Sequence, residues 1–339
     1  MLATTLVTML AVSSALPVGE EARSRGPFAR HAKSRQLLGT DHKVHLSRRA
    51  LIASAPLVAL PLHVSAAPSP QSPVHLLHAV LNVPDLEASA RFFKDAYGFT
   101  RTRSRPGNEF VAFGDESRGA HFAIELSPLA AGTTTTSPGF GGFVLAVDNP
   151  AKAAARAISA GARRAGGGER CSGDAFAGCA VAGPDGTPVS FVKGDSKAPR
   201  LARTILFVPD VAAAAAVYEK ALGFQKVSRQ QGVVDRAAED GARPSSVLLG
   251  RGDGGTLIEL RAAASSGIPA DMPQLFDKIA LSVPTGELAT FADAVGSNGG
   301  VVVKPPFAVP GIGTRVAIVS VGNTTLALVD ADDFEKELA

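Results

Sequence analysis

The chain has 339 residues, 45% of them hydrophobic, which is enough for one large or two small globular domains with real cores. Two cysteines and no tryptophan exclude a disulfide-built scaffold and a cysteine-rich zinc domain. The formal charge of +3 is unevenly placed: residues 1–67 carry eight Lys or Arg against three acids, a net of +5, so residues 68–339 sum to −2 and offer no basic surplus for a nucleic-acid partner.

Residues 1–67 read as an address and are kept apart from the fold. Leu2 to Leu16 is a short apolar run like a secretory signal. Arg23 to Arg49 is rich in Arg, Ser and His and poor in acid, as in a plastid transit peptide. Ser47-Arg48-Arg49 then precedes an apolar stretch, Ala50 to Leu62, and a small-residue end at Val64-Ser65-Ala66-Ala67, a pattern similar to a twin-arginine export signal. The order of these pieces predicts import into a plastid and onward to the thylakoid lumen. The apolar stretch is shorter than the about 20 residues that span a bilayer, so no membrane span is expected. Pro68 to Pro73 reads as a flexible lead into the folded part.

The folded part repeats itself. Val83-Pro84-Asp85-Leu86 to Tyr97-Gly98-Phe99 matches Val208-Pro209-Asp210-Val211 to Leu222-Gly223-Phe224. In both, a strand ends in Val, Asp starts an Ala-rich amphipathic helix, and Gly-Phe leaves it. Phe122 to Leu126 likewise matches Thr256 to Leu260. A second pair of repeats joins Leu145-Ala146-Val147 to Leu281-Ser282-Val283, each followed by a helix, 151–161 and 287–296. The pattern predicts four strand–helix–three-strand units over residues 76–127, 140–194, 201–261 and 276–330. The fold class is therefore α+β: four βαβββ modules paired into two fused domains, 74–196 and 198–335. A single module has an open sheet face that it cannot bury alone, so the modules pair around a cleft.

Several other motifs are excluded or left open. Gly166-Gly167-Gly168 and Gly252-Asp253-Gly254-Gly255 lack the Gly-Lys-Ser/Thr ending of a phosphate loop and read as hairpin turns, so no nucleotide cofactor is expected. Gly-x-Ser-x-Gly is absent, and no Ser-His-Asp arrangement can be argued. Cys171 and Cys179 flank a glycine-containing turn and are either a hairpin disulfide or two separate thiols.

Four βαβββ units in one chain resemble the vicinal-oxygen-chelate superfamily, and in particular the long fused glyoxalase I (lactoylglutathione lyase) of plants. Leu76 to Leu86 resembles the family's opening strand and helix start, and His121 to Leu126 its fourth strand. Gly139-Phe140-Gly141-Gly142-Phe143 and Pro184-Asp185-Gly186 resemble the start and the last turn of its second unit. The resemblance covers residues 74–330. It implies one divalent metal, nickel or zinc, held by a His or Gln on the first strand and a Glu on the fourth strand of two facing units. That metal binds the hemithioacetal of methylglyoxal and glutathione and stabilises an enediolate, while a carboxylate moves the proton.

The resemblance pairs the first unit with the fourth and the second with the third. It places the metal positions at His78 and Glu125 in the first unit and at Lys278 and Ala327 in the fourth. In the other cleft they fall on Gly142 and Ser190 of the second unit and on Arg203 and Glu259 of the third. His78 and Glu125 are thus the candidate metal ligands, with Glu125 as candidate catalytic carboxylate; the alternative is a cleft histidine hydrogen-bonded to the glutamate beside it. Glu259 is the one remaining acid of the other cleft. Even spacing puts His121 on the strand face of Glu125. The glutathione positions also depart from the family, with Asn82 and Leu129 in the first unit and Phe207 and Ala263 in the third. Arg203 and Lys278 are candidate replacements for the metal charge, Arg203 beside Glu259 and Lys278 opposite Glu125.

Three functions follow from the resemblance. The first is a divergent plastid protein binding a small carbonyl or oxygen-rich ligand in the cleft of the first and fourth units, with metal-assisted chemistry through His78 and Glu125. The second is a metal-free binding or scaffold protein. The third is a methylglyoxal-detoxifying lactoylglutathione lyase. The expected partner is a small molecule, and the fused form is an internal pseudo-dimer, so a monomer is expected.

Overall fold

The computed structural model describes residues 74–116, 121–130, 139–164, 179–194, 199–227, 246–252, 255–263 and 275–339. The proposed address, 1–67, lies outside the described residues, as does Cys171, so the disulfide reading of Cys171 and Cys179 falls outside them too.

The first module runs β1 His75–Val83, α1 Leu86–Phe92 with a π-helical continuation over Phe93–Tyr97, β2 Thr100–Arg105, β3 Asn108–Ala112 and β4 Ala123–Pro128. The second is β5 Phe140–Val147, α2 Pro150–Ser159, β6 Arg163–Arg164, β7 Cys179–Ala182 and β8 Pro188–Lys193. The third is β9 Arg200–Val208, α3 Val211–Leu222, β10 Gln225–Lys226, β11 Ser246–Gly250 and β12 Leu257–Ala262. The fourth is β13 Phe276–Val283, α4 Leu288–Ser297, β14 Val301–Ala308, β15 Arg315–Val321 and β16 Thr324–Asp330. A further helix follows, α5 Ala331–Leu338, which the fourth unit of the sequence pattern, ending at 330, does not contain.

The repeated helix signals act as their chemistry requires. The Asp85 and Asp210 carboxylates each accept the N–H three residues on, from Ala88 and Ala213, both at 2.9 Å. Gly98 and Gly223 leave their helices in the left-handed region, with φ of 84° and 70°.

The strands form two eight-stranded sheets, ordered β14-β15-β16-β13-β1-β4-β3-β2 and β10-β11-β12-β9-β5-β8-β7-β6. The first sheet therefore joins the first module to the fourth, and the second sheet joins the second to the third. In each sheet the central seam is antiparallel, β1 on β13 and β5 on β9, while the first and last strands of each module pair in parallel. One apolar core unites the helix-bearing faces of both sheets, with Phe93, Tyr97, Tyr218 and Leu281 inside it. Phe140 and Phe276 stack across it at 4.4 Å between ring centroids. The opposite face of the first sheet carries a smaller cluster of Leu77, Ala280, Val316, Ala327 and Val329, closed by Phe334 of α5. On the second sheet the corresponding cluster is Val144, Ala146, Val192, Ala202 and Ile205.

Gly142, at an irregularity of the β5–β9 seam, has φ +108°, and a Cβ there would meet the Pro188 carbonyl oxygen at 2.4 Å. Gly107 has a similar φ of +87° with nothing within 4 Å of an added Cβ. Chemical denaturation should therefore separate the two: Gly107→Ala costs about 1 kcal/mol of backbone strain alone, and Gly142→Ala costs at least about 2 kcal/mol, because the close approach is to backbone that cannot turn away. Equal costs would contradict the close approach of Gly142 to the Pro188 backbone of β8.

Candidate functional site

The site of the first sheet is assembled by strand register. His78 pairs with Ala123 of β4, and Glu125 pairs with Val80 of β1 and with Phe110 of β3. Phe110 pairs with Arg103, and Asn108 with Arg105. Paired residues share a face, so His78, Glu125, Phe110, Arg103, Arg105 and Asn108 converge on the side turned away from the helices of the main core.

Glu125 lies at the centre, 5% exposed. Its Oε2 is 3.0 Å from His78 Nε2. Its Oε1 accepts from Arg105 Nη2 at 2.8 Å and from the Asn108 amide. Burial pushes the Glu125 carboxyl up, but the hydrogen bonds and charges of His78 and Arg105 outweigh it and hold the group well below the usual carboxylate range.

A second carboxylate comes from α5. Glu337 Oε2 is 2.9 Å from Arg105 Nη1 and 3.2 Å from Arg103 Nη1, and its Oε1 accepts from the Thr314 hydroxyl. Arg103 Nε is also 3.3 Å from Glu116, which accepts in turn from Thr102. The Arg103 guanidinium lies 3.5 Å from the Phe110 ring centroid and 5.2 Å from that of Phe334. The Phe334 ring, 2% exposed, lies 6.2 Å from the His78 ring. Arg315 secures the start of α5, with Nη2 3.0 Å from Asp330 and Nε 2.8 Å from Asp333.

The second sheet has a corresponding arrangement. Arg203 Nε lies 3.2 Å from Glu259 Oε2, and Arg261 Nε lies 2.6 Å from Glu259 Oε1. Arg203 and Glu259 are both buried at 6% exposure. Across the seam stand Gly142, which has no room for a side chain, and half-buried Ser190.

Thus His78 meets Glu125 and Arg203 meets Glu259. Lys278 does not take its expected place: it shares the cleft face through its pairing with Val80, but its ammonium binds the adjacent Asp277 and its side chain is 30% exposed. The cation on Glu125 is Arg105, whose fork reaches both Glu125 and Glu337. Ala327 is buried in the apolar cluster under α5. His121 is exposed and lies before β4, with its ring beside Gly114. The cleft expected to be open to a ligand holds Phe334 and Glu337 of the chain's own last helix. Arg103, Arg105, Asn108, Phe334, Glu337 and Arg261 were not anticipated from the sequence. Alternation could have found several of them: Arg103 and Arg105 are two residues apart on a strand, as are Glu259 and Arg261.

The family's metal asks for about four donors, two from each facing module. Here the fourth module presents Lys278 and Ala327, and both oxygens of Glu125 already hold protein donors, one of them a guanidinium. Among the described residues no group of three or more His, Cys, Asp or Glu is arranged to hold a metal. These residues do not fit a tetradentate divalent-metal site.

Comparison with known proteins agrees with the architecture. The model of the Glyoxalase/Bleomycin resistance protein/Dioxygenase superfamily matches residues 75–191 and 200–320. A probable chloroplastic lactoylglutathione lyase of Arabidopsis thaliana is 25% identical over 78% of this chain and 75% of its own length. A lactoylglutathione lyase of Oryza sativa is 26% identical over 78% of this chain and 91% of its own. The crystal structure of glyoxalase I from Zea mays superposes with a TM-score of 0.60 at 26% identity, covering 78% of this chain and 95% of that one.

The buried carboxylate makes a signed prediction. A carboxyl held below its ordinary value of 4.5 binds fewer protons folded than unfolded in acid. Its stabilisation is full above 4.5 and is lost as the pH falls towards its folded value. Glu125→Gln should cost about 3 kcal/mol at pH 7, because it strips a buried pair of one partner. The penalty should shrink as urea titrations move below pH 4.5. A penalty that stays constant with pH would contradict a buried, ionised Glu125.

Proposed function

The chain belongs to the glyoxalase/bleomycin resistance protein/dioxygenase superfamily, in a long two-domain form like glyoxalase I, and from that premise we propose that it works as a metal-independent binding protein and not as a lyase. The observation that carries this reading is Glu125. In the family resemblance that carboxylate belongs to a metal; in this chain His78, Arg105 and Asn108 take its oxygens. A divalent cation entering would have to displace a guanidinium from a buried carboxylate and then find its remaining donors opposite Lys278 and Ala327. The second sheet supports the same reading, with Arg203 and Arg261 on Glu259.

On this reading the arginines do electrostatically what the metal does in a lyase: they neutralise a buried carboxylate. They offer no open coordination position to a substrate oxygen, so the polarisation of a carbonyl by a metal has no counterpart here. The glutathione positions support the same conclusion, since Asn82, Leu129, Phe207 and Ala263 supply no cation for glutathione's carboxylates. The two fused halves are taken as 74–196 and 198–335. The protein is proposed to act in the plastid, as the name of the Arabidopsis relative suggests for that protein, and the twin arginine at Arg48-Arg49 further suggests the thylakoid lumen. Among the described residues no helix is long and apolar enough to cross a membrane. A monomer suffices, because the internal repeat already pairs the modules.

The test is metal content after incubation with nickel, zinc, manganese or iron and desalting, together with turnover of the methylglyoxal–glutathione hemithioacetal. The expected result is far less than one equivalent of metal and no turnover above the uncatalysed rate. About one equivalent of nickel or zinc, lost in His78→Ala, with lyase turnover, would replace this reading by the activity of the named relatives.

A further inference from the structure

The cleft of the first sheet has features that a purely structural core does not need. Its floor is cationic and aromatic: Arg103, Arg105, His78 and Phe110 face one space. The chain fills that space with two groups from α5, the phenyl ring of Phe334 and the carboxylate of Glu337, three residues apart and so on one side of the helix. Both groups are read by the same guanidinium, since Arg103 lies 5.2 Å from the ring centroid and 3.2 Å from the carboxylate oxygen.

This filling is incomplete. Among the described residues, the Arg103 Nη2 and Arg105 Nε donors are buried and have no hydrogen-bond partner. The Arg103 side chain is only 14% exposed, so water does not readily satisfy it. Glu337 turns one oxygen to both arginines and gives the other to Thr314. The buried donors left unmet therefore point to an occupant that turns both of its carboxylate oxygens to the guanidinium groups. Elsewhere α5 is held well, by Arg315 on Asp330 and Asp333 and by the Thr285 hydroxyl accepting the Asp332 N–H at 3.1 Å. The mismatch is therefore confined to the end of the helix that enters the cleft.

We propose that this cleft is a binding site for a small aryl-substituted carboxylate, and that α5 occupies it in the absence of ligand with its own ring and carboxylate. The ligand's ring takes the place of Phe334 between His78 and Arg103. Its carboxylate takes the place of Glu337 on Arg103 and Arg105, and its second oxygen reaches donors that the helix leaves unmet. The last turns of α5 swing out, while Asp330 and Asp333 stay on Arg315. The inference rests on the metal-independent reading, since it keeps Glu125 on His78 and Arg105 throughout.

The test uses 3-phenylpropanoate as probe and 3-phenylpropan-1-ol as its uncharged counterpart, in EDTA, followed by calorimetry and by the His78 ring resonances. Three proteins are compared: the full chain, the chain ended after Ala331, and full-length Phe334→Ala/Glu337→Gln. The expected result is at least tenfold tighter binding of the acid by the shortened chain than by the full chain, and at least tenfold preference for acid over alcohol. Arg103→Gln in the shortened chain should remove that preference. If the shortened chain does not fold, the doubly substituted chain decides, with the same expected preference for the acid. A folded variant that binds the acid no better than the full chain, or no better than the alcohol, overturns the inference. The two readings fail separately: retained nickel would remove the metal-independent one, whereas a metal-free folded variant blind to the probe would remove only this one.

Discussion

A buried, ionised glutamate at the middle of a sheet has to be compensated, and the architecture around it follows from how that is done. Glu125 is nearly sealed from solvent, and an unpaired carboxylate there would cost several kcal/mol. A divalent metal can supply the charge, and so can a guanidinium. On the metal-independent reading this chain uses the second, and the choice has geometric consequences. Arg105 arrives from β2 of the same module, so nothing charged is needed from the facing module, and Lys278 and Ala327 can stand there. Because a guanidinium has a second edge, Arg105 also gathers Glu337, which ties α5 into the cleft. Glu259 is compensated in the same way from Arg203 and Arg261, so the two sheets share one electrostatic solution with different residues.

The exchange of modules between sheets makes these sites properties of the whole chain. The first sheet is built from the first and fourth modules and the second from the middle two, so each central seam joins strands distant in sequence. β1 brings His78 and β13 brings Ala280 to the same level of one seam. The last helix reaches back to arginines more than two hundred positions earlier, as in the Arg105–Glu337 pair with a separation of 232. Neither fused half completes an eight-stranded sheet from its own strands.

Much of this was legible in the sequence because it depends on local signals. The Asp85 and Asp210 caps, the Gly98 and Gly223 exits and the repeated strand-ending valines define the modules without tertiary information. The placement of His78 with Glu125, and of Arg203 with Glu259, followed once the repeat supplied the register. What failed depended on side-chain competition. Lys278 lies on the expected face, but a flexible ammonium takes the nearest carboxylate, and Asp277 is adjacent. Arg103 and Arg105 were passed over because β2 reads as a polar edge strand, and only its pairing with β3 shows which side they enter. The missed helix α5 had its signature on view: Asp330 as cap, Asp332 and Asp333 in the first turn, Lys336 in the last. With Phe334 and Leu338 as its only large apolar residues, it gives a weak periodic signal, and its partners lie on other strands.

The coupling between Glu125 and Arg105 tests the central claim most directly. A double-mutant cycle with Glu125→Gln and Arg105→Gln, measured by urea unfolding at pH 7 with EDTA and again with nickel, isolates it. Compensation by the guanidinium predicts a coupling of about 1.5 kcal/mol or more that is the same in both conditions. A coupling near zero in EDTA, with nickel raising the stability of the parent chain but not of Glu125→Gln, would show that the carboxylate belongs to a metal after all.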